Sequence, residues 1–203
     1  MTIAYRAHHE TSLREQSLFR IVLNAMARPG TIFEVVNVEM DGPASLSAAS
    51  AAVALVLLDS DVTYSCNQIG EDAAFFIATQ TLARSTSTAE ADFVFVNGGL
   101  SAVRHIESAK AGTLLDPESS AMLIASVGSL SPAAHEGGRP IRLTGPGIES
   151  EAVFYANGLH DGFVSAVASK NAVFPLGIDV LLTCSVSSQA TRVVAIPRTA
   201  RFV

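Results

Sequence analysis

The spacing of apolar residues predicts that the chain opens with a helix. Four apolar residues fall at i, i+3, i+4 and i+7, the spacing of one helical face: Phe19, Val22, Leu23 and Met26. Residues 12–15, Ser-Leu-Arg-Glu, have the form of a capping box and predict the first turn of this helix. Proline and glycine within residues 28–30 predict its end.

Later segments carry either a helical or a strand pattern. Helices are predicted over 45–58, 71–83, 101–110 and 154–170. Strands are predicted over 31–40, 62–66, 91–96, 141–144, 180–184 and 191–196. Turns or polar loops are predicted over 41–43, 84–89, 131–140 and 185–189. The apolar run 121–127 is compatible with either a helix or a strand.

This order of elements predicts an α/β fold with a mixed central β-sheet flanked by helices. No internal repeat, long linker or block of charge divides the sequence. Residues 1–203 are therefore predicted to form a single domain, which is a usual size for a domain with its own core.

The composition changes this picture in one respect, because charged residues are scarce. They make up 16% of the chain, against about 25% in ordinary domains, while hydrophobic residues make up 49%. Mean hydropathy is +0.37. Since the core of a protein–protein interface is depleted in charge, we expect part of the surface to lie against another subunit.

Charge and hydropathy also exclude several classes of protein. The net charge is −6 and no cluster of Lys or Arg occurs, so nucleic-acid binding is not expected. The longest apolar run, 48–58, is too short to span a bilayer and predicts a buried helix. With no signal-peptide pattern at the start and two distant cysteines, Cys66 and Cys184, we expect a cytoplasmic protein with reduced, buried thiols.

Known catalytic and metal-binding motifs are absent from the sequence. There is no P-loop, dinucleotide-binding glycine motif, nucleophile elbow or zinc-binding His-Glu-x-x-His. The five histidines show no metal spacing and are predicted to be solvated or structurally paired: His8, His9, His105, His135 and His160. No metal site is therefore predicted. The two lysines, Lys110 and Lys170, lie near the ends of predicted helices, where a cation favours the helix dipole.

Four segments combine apolar sequence with glycine, proline or an isolated charge. They are residues 28–30, 57–59, 143–148, and the pair 171–179 with 196–199. Guanidinium groups and the exposed backbone N–H groups of glycine turns suit anionic ligands. The candidate ligand-binding residues are Arg28, Gly145, Gly147, Asp179 and Arg198. A purely structural role is open for each, and Asp179 and Arg198 could form a partly buried ion pair without any chemistry.

In their order and spacing, these segments resemble one family over nearly the whole length. The family is the PhnH-type subunit of the bacterial carbon–phosphorus lyase system, which degrades phosphonates. The matching segments are Gln-Ser-Leu-Phe-Arg at 16–20, Asn-Ala-Met-Ala-Arg-Pro-Gly at 24–30, Leu-Leu-Asp at 57–59, Leu-Thr-Gly-Pro-Gly-Ile at 143–148, 171–179, and Ile-Pro-Arg-Thr at 196–199. The family often has a second threonine where this chain has Ala200, which weakens any role for a hydroxyl group there.

The resemblance implies a pyridoxal-phosphate transferase fold that has lost its cofactor site, so no cofactor is expected. It also implies a homodimer that joins subunits of the G, I and J types in a core complex. That complex replaces adenine in a nucleoside triphosphate with a phosphonate, forming a ribose 1-phosphonate 5-triphosphate. The family assigns no catalytic residue to the H subunit, so an accessory, largely non-catalytic role is implied.

Two other interpretations remain open. A stand-alone pyridoxal-phosphate enzyme would need Lys110 or Lys170 for its Schiff base. An independent binding protein for a nucleotide or phosphonate would use Arg28, Arg198 and the glycine turn at 145–147, and Arg198→Ala would then weaken its binding of the ligand.

Overall fold

A computed structural model describes residues 2–36, 42–187 and 190–203 of the chain. The helices are α1 (Thr2–Ala27), α2 (Ala48–Leu57), α3 (Glu71–Thr81), α4 (Leu100–Ser108) and α5 (Phe163–Lys170). The strands are β1 (Phe33–Val36), β2 (Thr63–Ser65), β3 (Arg84–Ser85), β4 (Phe93–Asn97), β5 (Met122–Ser126), β6 (Ser129–Ser131), β7 (Arg139–Thr144), β8 (Ala152–Asn157), β9 (Asp179–Ser187), β10 (Ala190–Ile196) and β11 (Arg201–Phe202).

The strands form two sheets. The central sheet has seven strands in the order β1-β10-β9-β5-β4-β2-β3, and its neighbours from β9 to β3 are parallel, while β10 and β1 are antiparallel. A second, antiparallel sheet has the order β11-β7-β8-β6. The prediction of an α/β fold with a mixed central sheet flanked by helices is confirmed.

Two apolar layers lie on opposite faces of the central sheet. Successive side chains of a strand point to opposite faces, and β4 shows this directly. Phe95 packs in one layer with α1, α2 and α3. Val94 and Val96 pack in the other with α4, α5 and the second sheet. The buried helix α2 begins at the N-cap Ser47, whose side chain accepts a hydrogen bond from the backbone N–H of Ser50.

The first helix differs from its prediction in start and orientation. It already begins at Thr2 and runs through residues 12–15, so the capping-box prediction is wrong. Its buried stripe is Leu18, Val22 and Ala25, while Phe19 and Leu23 are exposed. This stripe faces α2 and β10, and the small side chain of Ala25 suits close packing there. Spacing alone could not choose between the two adjacent stripes.

The helix predicted over 154–170 is wrong in its first half. Residues 152–157 form β8, where Phe154 and Ala156 are buried and pair with β7, and only α5 is helical. Gly158 has φ +92 and an added Cβ there would lie 2.9 Å from the backbone nitrogen of Gly128. The chain therefore leaves β8 at this glycine, in a conformation that helps to end the strand.

Smaller differences concern loops and undecided segments. Two predicted loops contain short strands, since β3 occupies the start of 84–89, and β6 and β7 occupy the ends of 131–140. The undecided run 121–127 contains β5, while β9 extends into the turn predicted over 185–189. The strand predicted over 31–40 contains β1, and its residues 37–40, together with residues 41, 188 and 189, lie outside the described residues.

Candidate functional site

The glycine turn after β7 lies between two other candidate segments. A Cβ added at Gly147 would lie 2.5 Å from the carbonyl oxygen of Ala27, at the end of α1. A Cβ added at Gly145 would lie 2.9 Å from the carbonyl oxygen of Thr199. Both glycines have positive φ, +137 at Gly145 and +82 at Gly147. The fold therefore brings the 28–30, 143–148 and 196–199 segments together, and glycine is required where they meet.

Asp179 and Arg198 form a partly buried ion pair in this region. The Arg198 backbone N–H donates to Asp179 Oδ1 at 2.8 Å, and its Nη2 donates to Oδ2 at 2.9 Å. The remaining terminal nitrogen, Nη1, donates to the carbonyl oxygen of Pro117 at 2.6 Å. The two side chains are only 17% and 16% exposed. Both terminal nitrogens of Arg198 therefore donate to groups of the chain itself. This is what a purely structural role for the Asp179–Arg198 pair requires.

Arg28 differs from Arg198 because its side chain is exposed. Its guanidinium makes no hydrogen bond or ion pair with any described part of the chain. It follows Ala27, which packs against Gly147. Among the three charged candidates, Arg28 is thus the one whose charge is available to a ligand.

The contact that the structure gives for Asp59, in the 57–59 segment, is a local one. Asp59 is exposed, and its Oδ1 accepts a hydrogen bond from the backbone N–H of Asp61 at 2.9 Å. This is a local turn after α2, in line with the structural interpretation of that aspartate.

Sequence reasoning missed a charged pair in a cleft that Gly30 lines. The cleft has a volume of about 360 Å³ and lies between β1, β10 and β8. Arg192 crosses it, donating from Nε to Glu34 at 2.9 Å and from Nη1 to the carbonyl oxygen of Leu130 at 3.0 Å. An arginine inside the apolar run of β10 was the signal that could have identified it.

Both lysines contact other parts of the chain. Lys110 donates to Asp92 at 2.5 Å, and Lys170 donates to the carbonyl oxygen of Glu107 at 2.8 Å. Lys170 borders a cleft of about 420 Å³ between α4 and α5, and burial lowers its pKa despite the nearby Glu107. A Schiff-base role for either lysine would have to break these contacts.

Three histidines are structurally paired, as predicted. His105 shares a hydrogen bond with Thr88 and burial lowers its pKa. His135 shares one with Ser129, and His160 accepts one from the backbone N–H of Gly162. The side chains of His8 and His9 lie outside the described residues. Within the described part of the chain, no group of three or more His, Cys, Asp or Glu side chains is arranged to hold a metal.

The two cysteines and the helices also bear on the sequence predictions. Cys66 and Cys184 are buried and unpaired, as expected, and burial raises the pKa of the Cys66 thiol to about 11. Among the described helices, none is both long enough and apolar enough to cross a membrane.

Comparison with known proteins identifies the family. The family model for PhnH, described as a bacterial phosphonate metabolism protein, matches residues 7–203. The chain therefore belongs to the PhnH family of bacterial phosphonate metabolism proteins, which confirms the resemblance inferred from the sequence.

Two relatives are similar over most of their length. One, from Rhizobium meliloti (strain 1021), is named alpha-D-ribose 1-methylphosphonate 5-triphosphate synthase subunit PhnH. It is 36% identical over 190 residues, covering 92% of this chain and 89% of the relative. The other, from Stutzerimonas stutzeri, is named putative C-P lyase subunit protein HtxG, and is 29% identical over 92% of this chain and 84% of the relative.

Proposed function

We propose that this chain is the H-type subunit of a carbon–phosphorus lyase core complex in phosphonate catabolism. In that complex it would support formation of ribose 1-phosphonate 5-triphosphate from a nucleoside triphosphate and an alkylphosphonate. The observation that carries the proposal is its near full-length similarity to a relative named as a subunit of the corresponding synthase.

An accessory role suits the contacts of the charged groups. Arg198, Lys110 and Lys170 are all engaged by acceptors of the chain itself. A group that holds the fold in this way is poorly placed to bind and release a substrate. The chemistry is then supplied by the other subunits, and this chain contributes surface and stability.

Several finer features belong to the same proposal. The chain forms a homodimer when alone, joins subunits of the G, I and J types, and works in the cytoplasm. Its 203 residues act as a single PhnH-like domain related to pyridoxal-phosphate transferases but without a cofactor. The low charge content supports the expectation of extensive contact with partners.

The direct test is co-expression of the tagged chain with the neighbouring G-, I- and J-type subunits. We expect stable co-purification in a fixed stoichiometry, measured by size-exclusion chromatography with light scattering. The control is the tagged chain expressed alone, which should elute as a homodimer. A homodimer that ignores every co-expressed subunit would contradict the proposed function.

The exposed guanidinium of Arg28, which has no partner in the described part of the chain, favours a second candidate function, binding of an anionic ligand such as a nucleotide or phosphonate. The glycine turn at 145–147 lies against Ala27 and Pro29, the two residues that flank Arg28 in the sequence. A ligand that binds only the folded chain raises its melting temperature by mass action.

Arg28→Ala should therefore abolish stabilisation by nucleoside triphosphate or methylphosphonate in a thermal-shift titration. The matched control is Arg104→Ala, an exposed arginine on α4. Arg198→Ala should weaken binding less than Arg28→Ala, because both terminal nitrogens of Arg198 already donate to groups of the chain. An unchanged ligand response in folded Arg28→Ala would exclude this function at this site.

A further inference from the structure

Two neighbouring turns of the structure display large apolar side chains at their tips. In residues 113–116, the backbone N–H of each end donates to the carbonyl oxygen of the other, between Thr113 and Asp116, at 3.0 and 3.3 Å. The two residues at the tip are Leu114 and Leu115, and Leu115 is 98% exposed. Glycine, proline and small polar residues normally occupy such positions. The two leucines here bury little of their surface against the described chain.

The second turn covers residues 173–176, where the backbone N–H of Leu176 donates to the carbonyl oxygen of Val173 at 2.9 Å. Val173 and Phe174 are both exposed, Phe174 by 60%. The two turns are joined at their base, because the backbone N–H of Gly177 donates to the carbonyl oxygen of Ala111 at 3.0 Å. We call residues 113–116 and 173–176 together the apolar turns.

Buried polar contacts fix both turns from below. The buried side chain of Asn171 donates to the carbonyl oxygen of Ile178 and accepts from its backbone N–H, at 3.0 and 2.8 Å. Arg198 donates to the carbonyl oxygen of Pro117 directly after the first turn. A surface held in this way loses little conformational freedom when a partner binds.

The charges around the apolar turns are mainly negative. Asp116 and Glu118 are exposed, and neither carboxylate forms an ion pair with any described residue. Three cations of this region, Lys110, Lys170 and Arg198, all donate to groups of the chain itself. In a two-fold homodimer through this surface, the same patch would face itself and bring these carboxylates together. That arrangement is unfavourable, so the surface fits a different chain with basic groups around an apolar patch.

From these observations we infer that the apolar turns are the docking surface for another subunit of the carbon–phosphorus lyase complex, one that offers apolar side chains with a basic rim. This inference rests on the proposed function and deepens it. Leu115 and Phe174 are the expected anchors, because removing large apolar side chains from water favours binding when a partner buries them.

The experiment compares Leu115→Ser and Phe174→Ser with two matched controls in the co-expressed complex with G-, I- and J-type subunits. The first control is Leu100→Ser. Leu100 is 63% exposed and lies at the N-terminal end of α4, whereas the apolar turns follow the C-terminal end. The second control is Phe75→Ser. Phe75 is 72% exposed and belongs to α3, which packs on the face of the central sheet opposite to α4 and α5. Because all four side chains are exposed, each variant should fold like the wild type, which far-UV circular dichroism and melting temperature verify.

We expect Leu115→Ser and Phe174→Ser each to weaken partner binding by about tenfold or more, and the controls to leave it unchanged. Glu118→Lys should slow association with the partner, because it reverses a charge of the acidic rim. Binding of the purified chain to the remaining subunits, measured by biolayer interferometry, gives both values.

Each contrary outcome has its own meaning. Wild-type binding together with undiminished binding by both turn variants would overturn the docking surface and leave the proposed function standing. Loss of the homodimer without loss of partner binding would assign the surface to a second copy, which also overturns the inference. Failure of the wild-type chain to bind any partner would overturn the proposed function, and the docking surface with it.

Discussion

Several charged residues in this chain fasten distant segments to one another. Arg198 ties the turn after β10 to the start of β9 and to the carbonyl oxygen of Pro117. Asp92 accepts hydrogen bonds from Lys110 and from both the backbone and the hydroxyl group of Thr63. The sequence identified Arg198 and Asp179 as notable, but 19 residues separate them, and only the fold decided that they pair.

Arg198→Ala is expected to lower the free energy of unfolding by about 3 kcal/mol, because the partly buried Asp179 carboxylate loses its cation. Urea denaturation monitored by circular dichroism measures the change. The control is Arg139→Ala, which removes a well-exposed ion pair with Asp161 and should cost less than about 1 kcal/mol. Equal effects of the two substitutions would contradict the role given to the Asp179–Arg198 pair.

The stability should also depend on pH through Asp92. Burial tends to raise the pKa of Asp92, but hydrogen bonds from Lys110 and Thr63 outweigh burial and hold the pKa below its ordinary value of 3.8. A depressed carboxyl pKa stabilises the fold above the unfolded value, and this contribution is lost as the pH falls through the folded pKa.

We therefore expect Asp92→Asn to destabilise the protein near neutral pH and to flatten the fall in stability below about pH 4. Urea denaturation at a series of pH values measures both effects. If wild type and variant lose stability in parallel on acidification, Asp92 does not carry this dependence.

At the scale of elements, the glycine turn after β7 packs against the ends of α1 and β10. Its positions were visible in the sequence as Gly-Pro-Gly, but the reason for both glycines was not. Gly147 has positive φ and also lies too close to Ala27 for any side chain. Local turn chemistry is readable from sequence, whereas close approach of a distant helix is not.

Gly147→Ala should destabilise the fold by about 1–3 kcal/mol, because its Cβ would overlap the carbonyl oxygen of Ala27 in a strained backbone conformation. Chemical denaturation is the measurement. Gly42→Ala provides the comparison, since an added Cβ there meets only Ala51 at an ordinary 3.5 Å and its φ is not positive. A neutral Gly147→Ala would show that α1 can shift away from the turn at no cost.

At the scale of the whole molecule, the two sheets share one apolar layer. Leu143 and Phe154 of the second sheet pack in the same layer as Leu123 and Val180 of the central sheet. The sequence pattern predicted one sheet and not the second, because β8 was assigned to a helix and β6 and β11 have only three and two residues. A shared layer favours cooperative unfolding of the chain as a single domain.

Leu143→Ala should therefore lower the stability of both sheets by about 2–5 kcal/mol in one transition. Hydrogen exchange resolved by segment, alongside circular dichroism, reports each sheet separately. The exposed Phe75→Ala serves as the control and should have little effect. Separate loss of protection in the second sheet would contradict the single-domain prediction.

The sequence by itself determined the family, the alternation of helices and strands, and most segments of the central sheet. These features depend on local spacing, capping and turn chemistry, which a few neighbouring residues specify. The tertiary structure decided which stripe of α1 is buried and that residues 152–157 pair with β7 as a strand. It also decided that Arg198 is engaged by the chain, while the Arg28 guanidinium is exposed and has no partner among the described residues. Each of these depends on groups supplied by distant parts of the chain, because burial, strand pairing and ion pairing arise only where those parts meet.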